Sequence, residues 1–148
     1  MNANVQRKLN KIFSSDQWLE GSFDAVVKGP EGETYNFSHQ QVAYRSSVDG
    51  NYHILDNVVT DHTFEGLRLN VAIGKNTRPG DYTLETTEDL PVAVILGTGF
   101  FFGFVKGKLR LEANSNGALS GTFSGEVSLG GLVYKIQSAK FVVEGVPI

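Results

Sequence analysis

The feature that most constrains this chain is an alternation of period two across its C-terminal third. Val105, Leu109 and Leu111 alternate with Lys106, Lys108, Arg110 and Glu112. After Asn114-Ser115-Asn116-Gly117 the pattern resumes, with Leu119, Phe123, Val127 and Leu129 set against Ser120, Thr122, Ser124, Glu126 and Ser128. Successive side chains on a strand point to opposite faces, so this pattern describes strands with one face buried and one wet. A helix would scatter the same apolar residues around its circumference. Gly130-Gly131 supplies a second tight turn into a last strand, Leu132 to about Val143. The expectation is a three-strand meander.

The earlier part of the chain reads the same way. Leu19, Gly21, Phe23, Ala25 and Val27 alternate with Glu20, Ser22, Asp24 and Lys28 before Gly29-Pro30-Glu31-Gly32 breaks the run. Tyr35 and Phe37 open a second strand, and Val42 and Tyr44 take over the apolar parity, so the phase shifts near Gln41, as a bulge would make it do. Further strands are expected from Tyr52 to about Thr60, around Leu67 to Ile73, and at Tyr82 and Leu84. Only the N-terminus departs from this. Val5, Leu9, Ile12 and Phe13 have helical spacing, which predicts a short amphipathic helix over about 3–14, capping the open end of a sheet. The length of 148 residues favours one domain over the whole chain, and 17 Gly with 10 Phe fit tight turns between aromatic-bearing strands. The fold class expected is all-β: an antiparallel β-sandwich or lipocalin-like barrel of about eight strands with one short N-terminal helix.

Several chemistries are excluded or weakly supported. With no cysteine there are no disulfides, zinc knuckles or thiol nucleophiles, and a net charge of -3 argues against nucleic acid as a partner. Arg7, Lys8 and Lys11 are not followed by the apolar run of a secretory leader, so the chain as given reads as cytoplasmic, while a mature chain whose leader had been removed, or one secreted by a leaderless route, would read the same. Ser124 in Gly121-Thr122-Phe123-Ser124-Gly125 is misplaced for a nucleophile elbow and sits inside a strand. Gly97-Thr98-Gly99 with Gly103 lacks the following helix that a dinucleotide site needs. Glu85, Glu88 and Asp89 read as solvated carboxylates of a turn. His39, His53 and His62 have no metal-ligand spacing. Asp56, Asp61 and His62 lie close enough in sequence to join His53 across a turn in a small barrel enzyme, but the simpler expectation is that they are solvated loop residues. Neither a cofactor nor a metal is expected.

The unusual segment is Leu90 to Val105, which carries no charge and includes Val92, Val94, Ile95, Leu96, Phe100, Phe101, Phe102 and Phe104. It is too short and too broken by Pro91, Gly97, Gly99 and Gly103 to cross a bilayer as a helix. One reading is a central strand or hairpin buried on both faces. The sharper reading is a cavity or patch for an apolar small molecule, a protein partner or a membrane. Phe101 and Phe102, as neighbours on a strand, cannot both face one core, so one of them has to meet something else. Lys106, Lys108 and Arg110 place three cations on one strand face, where an acidic ligand would find them. The candidate ligand-binding residues are therefore Phe100, Phe101, Phe102, Phe104, Lys106, Lys108 and Arg110. The function expected is a non-enzymatic binding module, with a protein- or membrane-interaction subunit (toxin-associated or an assembly component) and a His/Asp barrel enzyme as alternatives.

Overall fold

The computed structural model describes residues 17–57, 68–85, 91–97 and 101–147, with the backbone alone at 39–41 and 57. Among the described residues the chain is all strand and turn. The strands are β1 (Gln17–Lys28), β2 (Thr34–Ser46), β3 (Tyr52–Asn57), β4 (Arg68–Gly74), β5 (Gly80–Leu84), β6 (Val92–Gly97), β7 (Phe102–Phe104), β8 (Lys106–Ser115), β9 (Ala118–Leu129) and β10 (Leu132–Glu144). They form one antiparallel sheet in the order β5-β8-β9-β10-β1-β2-β3-β4-β6-β7. The helix expected over about 3–14 lies outside the described residues.

The described residues form ten strands in one sheet, where about eight in a sandwich or barrel were expected. Within the Leu90 to Val105 segment, expected as a central strand or a hairpin, the described residues form two antiparallel strands, β6 and β7, with Ile95 opposite Phe104 and Gly97 opposite Phe102. The phase change expected near Gln41 is present. Phe37 is buried before it and Val42 and Tyr44 after it, and the β1/β2 register is irregular between Glu20 and Phe23.

One face of the sheet is dry. Phe23, Val27, Leu55, Leu69, Val71, Ile73, Val92, Leu96, Leu109, Leu119 and Phe141 are all within 1% of complete burial and belong to one continuous core cluster. Its centre is an aromatic trio. Phe23 meets Phe123 edge-on at 6.3 Å between centroids, and Phe141 lies 6.3 Å from Phe23 and 6.4 Å from Phe123. These separations are those of favourable ring pairs. The rings come together because Ala25 pairs with Ala139 and Phe23 with Phe141, so small and large residues alternate across the β1/β10 seam.

Glycines on the dry face of β7 to β9 let other side chains and backbones come close. A methyl group on Gly121 would meet the Phe141 ring at 2.8 Å, and one on Gly103 would meet Val127 at 2.8 Å. Register shifts also interrupt β1/β2, β1/β10, β9/β10 and β8/β9, and bulges of this kind raise the local twist and bend of long strands.

Candidate functional site

At one end of the sheet, the turn between β9 and β10 meets Phe101, the residue that leads into β7. β7 lies against the end of β9 here: a methyl group on Gly103 would come 2.8 Å from Val127, 3.1 Å from the Ser128 carbonyl oxygen and 3.2 Å from Leu129. A methyl group on Gly130 would touch the Phe101 ring at 3.4 Å. Of six large apolar side chains exposed among the described residues, four lie here: Phe101 (55%), Phe102 (74%), Leu132 (53%) and Val133 (46%). Single exposed apolar residues are ordinary, whereas a contiguous group is the usual mark of an interaction surface. Phe104 and its cross-strand neighbour Ile95 continue the group down the outer face as half-buried side chains.

Phe101 and Phe102, expected not to share one core, are both more than half exposed. Neither ring enters the core. Phe101 directly precedes β7, and Phe102 takes the outer face because its partner position, Gly97, does. Phe100 lies outside the described residues.

Lys106, Lys108 and Arg110 are exposed together on the outer face of β8. Lys106 sits opposite Glu126, which also ion-pairs Lys135 at 3.6 Å. Lys108 and Arg110 instead line an outer trough of about 860 Å3 that crosses β5, β8, β9, β10 and β1. Register assembles its walls. Asp81, Arg110, Thr122, Lys140 and Asp24 form one cross-strand row, and Thr83, Lys108 and Ser124 form the next. Small hydroxyl side chains on β9 leave space between the long cations of β8 and Lys140 of β10. Lys140 cannot be associated with Lys108 or Arg110 from the sequence, because only the β9/β10 register brings it opposite Thr122.

The expectation for His53 needs correction. It is not a solvated loop residue but an inward-facing β3 side chain, 6% exposed. Its Nδ1 lies 2.7 Å from the Tyr44 hydroxyl, which sits on the neighbouring strand. Burial and the nearby Lys75 charge hold the imidazole below its ordinary pKa, and a hydrogen bond with the Asn114 side chain opposes them. The Asn114 amide nitrogen donates in turn to the carbonyls of Gly74, Lys75 and Thr77 at 3.0, 3.4 and 2.9 Å. The neutral imidazole therefore ties β2 and β3 to β8 and the loop after β4. Burial also raises the Tyr44 pKa, so the phenol stays protonated and able to donate to Nδ1.

Asp56 lies on the opposite face of β3 from His53, where it ion-pairs Arg68 at 2.7 Å. The described part of the His/Asp constellation is thus not brought together, and His62 and Asp61 lie outside the described residues. No group of three His, Asp or Glu side chains converges among the described residues.

A stability test follows from the sign of the His53 shift. Its folded pKa lies below the unfolded value of about 6.5, so the unfolded state takes up the proton first. The stabilisation from neutral His53 is complete above that value and is lost as the pH falls through the folded pKa. Urea midpoints measured from pH 7.5 downward should begin to fall below about pH 6.5, and His53→Gln should flatten that part of the curve. Identical slopes for the two proteins would show that His53 does not titrate as placed.

No helix among the described residues is long and apolar enough to cross a membrane. No protein-family model matches the chain, and no curated protein or solved structure shows significant similarity to it.

Proposed function

We propose that this chain is a non-enzymatic binding module: an eight-stranded barrel whose apolar tip, Phe101, Phe102, Leu132 and Val133, takes a small apolar ligand or an apolar surface of a protein partner. The observation that carries this reading is that four large apolar side chains are exposed at the start of β7 and of β10, with the Phe101 ring lying against Gly130 in the turn that leads into Leu132 and Val133. The barrel itself is supported by the chain at Val105. β7 and β8 are one residue apart, and the Val105 amide donates to the Val94 carbonyl at 2.8 Å, extending the β6 ladder past β7. β8 meanwhile pairs with β9. A single strand, β7 with β8, then borders β6 on one side and β9 on the other. Around the ring, β9, β10, β1, β2, β3, β4, β6 and β7/β8 make eight, with β5 added as a flap on β8.

Barrels of eight strands have interiors just wide enough to be filled by side chains or to hold one small ligand. The inward side chains, the Phe23, Phe123 and Phe141 trio among them, pack into one continuous core cluster, which supports binding at the tip rather than inside. Beside the tip Lys106 and Lys135 share the single carboxylate of Glu126, so the tip is flanked by net positive charge that an anionic ligand or surface would also meet.

The test is an NMR titration with the apolar dye 1-anilinonaphthalene-8-sulfonate. Saturable shifts should cluster at residues 101–104 and 130–134. Shifts centred on Leu55, Val71 and Val94, or no saturable binding, would contradict the proposal.

A further inference from the structure

We infer that the outer trough across β5, β8, β9, β10 and β1 is a second, independent site, for an oligosaccharide bearing carboxylates of the uronic acid type. Four observations carry this beyond the apolar tip. First, Lys108 and Arg110 stand side by side on β8 with no carboxylate opposite Lys108, whose cross-strand neighbours are Thr83 and Ser124. Sheet faces ordinarily set opposite charges across from each other, and like charges held together cost stability. Lys140 approaches the same space from the other side of Thr122.

Second, the space between them is real. Thr122 and Ser124 are short, and a register shift in β10 between Ile136 and Ala139 leaves Gln137 and Ser138 exposed on its border. The resulting volume of about 860 Å3 lies in the range of small-molecule sites, about 300–1,000 Å3, and far exceeds what a single inorganic anion fills.

Third, the trough ends on carboxylates. Asp24 accepts a hydrogen bond from the Ser38 hydroxyl at 2.8 Å, and Asp81 stands 4.0 Å from Arg110, both of the latter largely exposed. A polyphosphate running the length of the trough would meet these two negative charges. A ligand with one carboxylate per ring and hydroxyls around it suits both features, since carboxylates accept from sugar hydroxyls while the cations take the acid. Fourth, the hydroxyls of Thr83, Thr122, Ser124 and Ser138 and the amide of Gln137 give neutral donors and acceptors along the trough. The planar guanidinium of Arg110 matches a carboxylate in a paired, two-point hydrogen bond, whereas Lys108 and Lys140 act as point charges.

Isothermal titration of the full chain with a galacturonate trimer, the neutral galactose trimer of the same linkage, and inorganic phosphate tests the inference. The acidic trimer should bind at least about tenfold tighter than the neutral one and than phosphate, and should weaken as salt is raised. Arg110→Gln and Lys140→Gln should each weaken it by about fivefold or more, and Ser124→Phe, which fills the trough, should abolish it without moving the unfolding midpoint. Phe102→Ser, at the apolar tip, should leave this binding unchanged, so the two sites succeed or fail separately. Equal affinity for the acidic and neutral trimers, phosphate binding as tight as the acidic trimer, or indifference to all three trough variants would overturn it.

Discussion

Phe123→Ala should lower the stability of this protein by about 3 to 5 kcal/mol, the range for truncating a large buried ring. Phe123 is 4% exposed and sits between Phe23 and Phe141, at 6.3 and 6.4 Å. Removing it leaves a void that strands on both sides would have to close by moving together, and the register on either side of β9 is fixed by β8 and β10. The cost therefore includes the lost transfer of the ring out of water and the residual cavity. Thr122→Ala is the control on the same strand. Its side chain points outward into the trough, and its loss should cost under about 0.5 kcal/mol. Urea melts of the two variants give the comparison directly; equal losses would mean that the faces of β9 are wrongly assigned.

Gly107→Val should be at least as damaging, with a loss above about 3 kcal/mol or no folded protein. Gly107 lies directly opposite Gly125 in the β8/β9 ladder. A methyl group on Gly107 would come 2.0 Å from the Ser124 carbonyl oxygen and 2.6 Å from the Gly125 Cα, and one on Gly125 would come 2.4 Å from the Lys106 carbonyl oxygen. These are backbone atoms, so no rotamer change relieves the clash and the two strands must separate. The position follows directly on Val105 and Lys106, where the chain passes from pairing with β6 to pairing with β9, so separation would open the sheet at its seam. Gly117→Ala is the contrast. Nothing lies within 4 Å of its added methyl, but its φ of +89° is left-handed, so the expected cost is only about 1 kcal/mol of backbone strain. Thermal or urea unfolding ranks the two, and a Gly107→Val protein as stable as Gly117→Ala would refute the close approach.

What the sequence reveals about this fold depends on where polar residues stand. In β8, β9 and β10 most outward positions are polar or charged, with Val133 and Val142 the main exceptions, and both turns carry Gly, so faces, turns and pairing partners can be read. In β6 and β7 the outward residues are Ala93, Ile95, Phe102 and Phe104, so the two-residue period is invisible and the hairpin merges with its neighbours. His53 is the reverse case. It has the same parity as Leu55, which is buried, and that shared parity is the signal that identifies it as an inward residue. Polarity alone misassigns it, because burial is made possible by the Tyr44 hydroxyl across the ladder. The apolar character of the tip was legible as a run of Phe, but its partners Leu132 and Val133 were not, since only the fold sets the β9/β10 turn beside Phe101. Lys140 illustrates the same limit for the trough.

The central claim is that the tip is a binding surface and not misplaced core. The direct measurement is the Phe101→Ser, Phe102→Ser double variant, followed in parallel by urea unfolding and by fluorescence titration with 1-anilinonaphthalene-8-sulfonate. Both rings are more than half exposed, so the account predicts an unfolding free energy within about 1 kcal/mol of the parent protein. It also predicts that dye affinity falls about tenfold or more, as expected when the main apolar anchors are removed. A variant that loses several kcal/mol of stability, or one that keeps both its stability and its full dye affinity, would contradict it.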